Sequence, residues 1–202
     1  MKLSVVGGGG HSREVISAAR ASGLTPHRIL SDDSELWGEH VMGVPIVGGI
    51  DLLEPGEAAH IAIGSNLDRQ KIARAFPEVD WITIIHPFSW VCPSSVIAKG
   101  CLISAGVVVQ SEVQIGDHVI VNVRASISHE CILEDFCQVA PGAAVGGRVK
   151  VGKRAFVGIG SSVHQGSQLG DDAVLGGSAF LKGTLPECET WVGIPARSVY
   201  KR

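Results

Sequence analysis

Residues 97–133 read IAKGCLISAGVVVQSEVQIGDHVIVNVRASISHECIL, and every sixth residue from Ile97 onward is a large aliphatic. The run continues through Val139, Val145, Val151, Val157, Val163, Leu169 and Leu175 to Leu181, fifteen positions without an exception. At 45% apolar content such a run arises by chance on the order of 10⁻⁵ of the time, so the period is a property of the chain. The fifth place of each hexad is equally restricted and holds small residues: Cys101, Val107, Val113, Val119, Ala125, Cys131, Cys137, Ala143 and onward to Ala179.

Two inward positions in six fit neither the 3.6 period of a helix nor the plain alternation of a strand. They fit a short strand and a corner, repeated until the chain coils on itself as a parallel β-helix. Three hexads close a triangular coil, so residues i and i+18 lie one above the other, roughly 4.8 Å apart. Glycines at the second place, among them Gly116, Gly146, Gly152, Gly158, Gly170 and Gly176, suit corners with unusual dihedrals or close backbone approach. Solenoids of this kind bury an apolar face only against neighbouring coils, so a purely supporting role is the plain alternative to a catalytic one.

The remaining features bound the function. A net charge of −3 and a pI near 6.2 give no electrostatic footprint for nucleic acid. No apolar run reaches the length of a transmembrane helix, and the opening Met1-Lys2-Leu3-Ser4-Val5-Val6-Gly7 breaks into glycines too early for a signal peptide. The expectation is a cytoplasmic protein that inserts into no membrane. Five cysteines form no C-x-x-C pair, which predicts neither a zinc site nor a disulfide framework; Cys101, Cys131 and Cys137 fall at interior positions and read as packing.

Residues 1–85 lack the hexad and predict a small α/β domain, followed by the β-helix and a short tail over 86–202. Leu3–Val6, Arg28–Ser31, Ala59–Ile63 and Trp81–Ile85 read as strands; Arg13–Ser22 and Leu67–Phe76 read as helices. Gly7-Gly8-Gly9-Gly10-His11-Ser12 between first strand and first helix, with Asp32-Asp33 after the second strand, is a Rossmann-like layout. Glycines admit phosphates to the backbone at a helix N-terminus, and a carboxylate accepts bonds from ribose or base. Ser12 stands where the third glycine of the fingerprint belongs, and the unit has room for about one nucleotide-sized ligand.

The register also sorts the polar residues. His129 and Glu130 are at the third and fourth places of their hexad, on an outer corner, and Gly147 lies one coil above His129. A histidine oriented by a carboxylate beneath an exposed backbone N–H has the elements of general-base catalysis with oxyanion stabilisation. His118 and His164 are also outside the coil, and the spacing alone does not choose among the three.

The glycine-His turn, Asp32-Asp33, the hexad, Ser128-His129-Glu130-Cys131 and the terminal Val192-Gly193-Ile194-Pro195-Ala196-Arg197 together resemble the nucleotide-sugar acetyltransferases. The likeness is to bacterial enzymes that N-acetylate UDP-, GDP- or dTDP-linked 4-amino-4,6-dideoxy sugars and to sialic acid O-acetyltransferases. The resemblance implies a left-handed coil and a homotrimer with active sites between subunits. It implies acetyl-CoA as co-substrate and no metal. By the same resemblance His129 is the base and Glu130 its partner, with Asn122 near the sugar. Gly9, Gly10, His11, Asp32, Asp33 and Gly64 would bind the nucleotide sugar; Gly147, Ile159 and Gly177 would contact the CoA arm and acetyl group. Gln138 stands where close relatives can carry a histidine that contacts acetyl-CoA, so that contact falls to a neutral amide here. Three alternatives remain from the sequence: O-acetylation of a sugar, a non-catalytic trimeric nucleotide-binding scaffold, and a zinc carbonic anhydrase on the same coil. The last needs three metal-binding histidines, and Glu134 occupies a place where one would be sought.

Overall fold

A computed structural model describes residues 1–199; residues 200–202 of the tail lie outside the described residues. The chain divides into two compact units, Met1–Pro87 and Phe88–Arg202.

The first unit is an α/β layer. In its sheet β1 (Lys2–Val6), β2 (Thr25–Leu30), β3 (His40–Val41), β4 (Val44–Gly48), β5 (Ala58–Ile61) and β6 (Asp80–Trp81) take the order β3-β4-β2-β1-β5-β6. All pairings are parallel except β3 with β4. That hairpin was not expected, because Pro45 interrupts the apolar run of 44–48. Met42 and Gly43 make its turn with φ of 49° and 79°, the left-handed pair that matches strand twist in a two-residue loop. Helix α1 (His11–Ala21) buries Val15, Ile16, Ala18 and Ala19, the apolar spacing that predicted it. Helix α2 (Asn66–Ala75) starts at Ser65, whose side chain accepts the Asp68 N–H. The expected strand at 81–85 is two short pieces, Asp80–Trp81 and Ile84–Ile85.

Because β1 pairs with β2 on one side and β5 on the other, the chain reverses its lateral direction at β1. A crevice therefore opens at the carboxyl ends of these three strands, the usual ligand position in open parallel sheets.

The second unit is a left-handed parallel β-helix of hexapeptide repeats. Two-residue strands stack in three parallel faces, with Leu102 over Ile120, Val108 over Ser126 and Gln114 over Ile132, each step being 18 residues. The step shortens in the last coil, where Gln168 pairs with Thr184 and Val174 with Thr190, and this is why the hexad ends near Leu181. The large aliphatic from Ile103 to Leu181 and the small residue from Cys101 to Ala179 are buried. Together they form one continuous core. Burying a single Val, Leu or Ile is worth about 1.5–3 kcal/mol, so the repeat carries the unit's stability.

Each corner turns through a left-handed residue at the fourth place of the hexad, with φ between 54° and 73° from Gly100 to Ser178. Nine of these fourteen corners hold a residue other than glycine, at a cost on the order of 1 kcal/mol each. The second-place glycines serve the other purpose expected of them. At Gly158 an added Cβ would lie 2.5 Å from the Leu175 carbonyl oxygen and 2.6 Å from the Gly177 nitrogen.

Candidate active site

His129 and Glu130 occupy one such corner. The backbone ladder fixes it: Glu130 N–H donates to the Ser111 carbonyl below, and Arg148 N–H donates to the His129 carbonyl from above. The His129 N–H donates to Oε1 of Gln110 at 3.2 Å. Glu130 takes the left-handed conformation, φ 58°, which turns its side chain back alongside the ring. His129 Nδ1 is 2.7 Å from Glu130 Oε2. An ionised carboxylate only accepts, so Nδ1 is the donor, and in the neutral ring this tautomer leaves the lone pair on Nε2.

Arg148, one coil above Glu130, places Nη1 3.5 Å from the same Oε2. The Glu130 carboxyl is held below its ordinary pKa, first by the hydrogen bond from His129 and, against a desolvation penalty, by the charge of Arg148. Gly147 sits directly over the imidazole: a Cβ there would be 2.6 Å from Nε2. The basic nitrogen is therefore covered by bare backbone.

The other two outer histidines differ. His118 is buried and stacks on Phe136, with ring centroids 5.1 Å apart. His164 turns Nδ1 to the Gln165 carbonyl at 2.9 Å. The His129 corner is distinguished by the carboxylate hydrogen-bonded to Nδ1.

The remaining candidates on the coil lie elsewhere. Asn122 is buried one corner earlier and accepts the Val123 N–H at 2.6 Å. Ile159 and Gly177 stack on that same edge, where a Cβ at Gly177 would meet Ile159 Cγ2 at 3.0 Å; Ile159 is exposed. Gln138 stands on a strand, partly buried, with Oε1 buried and without a hydrogen-bond partner. Within one chain the edge of Asn122, Ile159 and Gly177 is separated from the edge of His129 and Gly147 by a full face of the coil. Cys131, next to Glu130, points inward, and burial raises its thiol pKa.

The second cluster is in the first unit. A cavity of about 370 Å³ is lined by Gly7, Gly8, Gly9, Gly10 and His11 after β1, by Ser31, Asp33 and Leu36 after β2, and by Ala62, Ile63 and Gly64 after β5. This is the crevice the strand order creates. Cβ atoms added at Gly9, Gly10 or Gly64 would meet nothing within 4 Å, so these glycines leave open space. The N-terminus of α1 at Gly10 has no side-chain cap; the Ser12 and Arg13 N–H groups turn back to the carbonyls of Gly9 and Gly10, so what the helix offers an anion is the positive end of its dipole. His11 bonds Glu14 at 3.1 Å through Nδ1; burial, reinforced by the charge of Arg69, lowers its pKa against the pull of Glu14. Asp33 lines the cavity, whereas Asp32 accepts the Ile50 N–H at 2.9 Å and is absent from the lining.

Sequence reasoning missed Arg148, Gln110 and Arg69. Arg148 is Glu130 plus 18 and was available from the register. A buried arginine such as Arg69 has no comparable signal in the sequence. Among the described residues no group of three or more His, Cys, Asp or Glu is placed to hold a metal ion, and no helix is long and apolar enough to cross a membrane.

The PglD N-terminal domain family matches residues 2–76. GDP-perosamine N-acetyltransferase from Caulobacter crescentus, solved as a histidine-to-alanine mutant with CoA and GDP-perosamine, is 32% identical. The match has a TM-score of 0.93 and covers 100% of this chain and 98% of that one. The acetyltransferase domain of PglB from Neisseria gonorrhoeae, in complex with acetyl coenzyme A, is 31% identical, with a TM-score of 0.91 and 98% of each chain covered. Over 94 residues the chain is 31% identical to an uncharacterized protein of Acanthamoeba polyphaga mimivirus; the match takes in 46% of this chain and 19% of that protein's length. With both units matched end to end by the two bacterial structures, the chain belongs to the left-handed β-helix nucleotide-sugar acetyltransferases.

Proposed function

We propose that this protein transfers the acetyl group of acetyl-CoA to the 4-amino group of a nucleotide-linked 4-amino-4,6-dideoxy sugar. The observation that carries the reading is the His129–Glu130 pair closed beneath Gly147. Its setting is a chain matched end to end by a relative holding CoA and GDP-perosamine. The amine nitrogen attacks the thioester carbonyl, and His129 Nε2 takes the proton that the nitrogen loses. Glu130 stabilises the resulting imidazolium through Nδ1–H, and the Gly147 N–H donates to the developing oxyanion. Collapse breaks the C–S bond, and His129 returns the proton to the departing thiolate. The products are the amide and free CoA, without an acyl-enzyme; Cys131, nearest in sequence, is buried and its thiol held protonated.

In this reading the first unit, with Gly9, Gly10, His11, Asp33 and Gly64 around its cavity and Asp32 bracing the loop beside it, holds the nucleotide. Asn122 approaches the sugar, and Ile159, Gly177 and Gln138 approach the CoA arm. Because Asn122, Ile159 and Gly177 lie on a different edge from His129, one complete site takes edges from two copies, and a homotrimer supplies three such junctions. The compartment that suits it is the cytoplasm, the source of acetyl-CoA.

The test is mass spectrometry of reactions containing acetyl-CoA and UDP-, GDP- or dTDP-linked 4-amino-4,6-dideoxy sugars, before and after mild alkali. The reading expects one of them to gain an acetyl group that survives alkali as an amide. An alkali-labile product would assign O-acetylation, and no product from any of them would remove the activity.

A further inference from the structure

Among the described residues Arg69 is the largest side chain that is fully buried, 1% exposed. It lies on the first turns of α2 and does not line the glycine cavity. Its guanidinium instead reaches the back of the cavity wall: Nη1 donates to the carbonyl oxygens of Ile63 at 3.2 Å and Gly64 at 3.4 Å. Nη2 donates to Asn66 Oδ1 at 2.9 Å. Ile63 and Gly64 are cavity-lining residues, so three negative dipole ends at this rim are tied to a single cation.

The charge of Arg69 acts on neighbouring titratable groups. It contributes to the lowered pKa of His11, which lines the cavity, and of the buried His60. A charge enclosed in protein is screened far less than one at the surface. The same cavity holds the uncapped N-terminus of α1, whose dipole has the same sign. The acidic group on the lining, Asp33, follows β2, with its Oδ1 accepting the Glu35 N–H. The cavity therefore has a positive end between α1 and the 62–66 turn and a negative end after β2.

We infer that Arg69 is a positioning residue for the diphosphate of the nucleotide, holding the Ile63-Gly64 rim in place and making that end of the cavity positive without touching the ligand. The inference rests on the proposed nucleotide-sugar reading and specifies how the first unit orients its ligand: phosphates toward α1 and Gly64, donor groups of the base or ribose toward Asp33. The guanidinium fork is suited to this, because one side chain spans three acceptors while keeping its charge.

The experiment is NMR titration of the full chain with the nucleoside diphosphate that the wild type binds and with the matching uncharged nucleoside. It is repeated for Arg69→Lys and Arg69→Met. Lysine keeps the charge and loses the fork; methionine loses both. A long-range charge effect predicts that the preference for diphosphate over nucleoside falls about tenfold or more in Arg69→Met and stays within about threefold of wild type in Arg69→Lys. Equal weakening of both ligands in both variants would show a merely structural residue and overturn the inference. So would an unchanged preference in Arg69→Met. If Arg69→Met does not fold, Arg69→Gln carries the same comparison. Failure of the wild type to bind any nucleoside diphosphate would bring down the nucleotide-sugar reading together with this inference, whereas binding with an unmoved preference overturns this inference alone.

Discussion

Gly147 lies one coil above His129, so close that a methyl group on its α-carbon would come within 2.6 Å of Nε2 and 2.7 Å of Cε1. The only residue type that leaves the imidazole in place beneath it is the one without a Cβ. The geometry also puts the Gly147 backbone beside the atom proposed to take the proton, so the proposed base and the proposed oxyanion donor come from consecutive coils of one edge.

Gly147→Ala follows directly. The added Cβ cannot be accommodated unless the imidazole rotates away, and rotation breaks the 2.7 Å contact with Glu130. Loss of a positioned base costs about 10²–10⁴-fold in rate, so kcat/KM is expected to fall by about 10²-fold or more with the hexad core intact. Steady-state kinetics beside a thermal melt checks it; near-wild-type kinetics would show that the ring does not need this place.

The glycines of the coil separate two effects. Gly158→Ala drives a Cβ to 2.5 Å from the Leu175 carbonyl oxygen, a backbone atom held in the sheet, and is expected to destabilise by about 1–3 kcal/mol. Gly142 has φ of 68° and nothing within 4 Å of its Cβ direction, so Gly142→Ala pays only for a left-handed alanine, about 1 kcal/mol. Urea unfolding of both variants should rank Gly158→Ala as the more damaging, and the reverse order would contradict the stacking argument.

His60 makes stability depend on pH. It is buried, donates from Nδ1 to the Ile82 carbonyl at 2.8 Å, and has its pKa pushed down to about 4. Burial is the main cause, with the charges of His11 and Arg69 adding to it and the Ile82 hydrogen bond opposing. Between about 4 and the unfolded value near 6.5 the unfolded chain binds the proton and the folded chain does not. Stability is thus full above about pH 6.5 and is lost as pH falls toward 4, by roughly 3 kcal/mol in all. Denaturant midpoints measured between pH 7.5 and 4.5 should fall on this course, and His60→Gln should flatten much of it. A wild-type midpoint that does not move would show that His60 is already protonated or exposed.

The coil could be read in detail because its period is rigid. Each large aliphatic from Ile103 to Leu181 faces the interior, and adding 18 to His129 or Glu130 names the residue above it. Corner conformation was less legible: glycine marks the second place, yet the positive φ falls at the fourth, where Glu130, Phe136 and Arg154 adopt it. There the repeated hydrogen-bond ladder overrides residue preference. In the first unit the glycine turn and Asp33 could be placed because they follow strands whose order sets the crevice. Asp32 diverged because its side chain is taken by the Ile50 N–H, a bond made 18 residues away along an irregular path. The hairpin of β3 and β4 was hidden by Pro45, and Arg69 by the rule that arginine belongs outside.

The measurement that bears most directly on the account is the turnover of His129→Ala with acetyl-CoA and the acetyl-accepting nucleotide amino sugar both saturating. The account predicts a kcat lower by about 10²–10⁴-fold, with nucleotide binding in the first unit unchanged. A kcat near that of the wild type would contradict it and take the base away from the corner where Glu130 and Gly147 enclose His129.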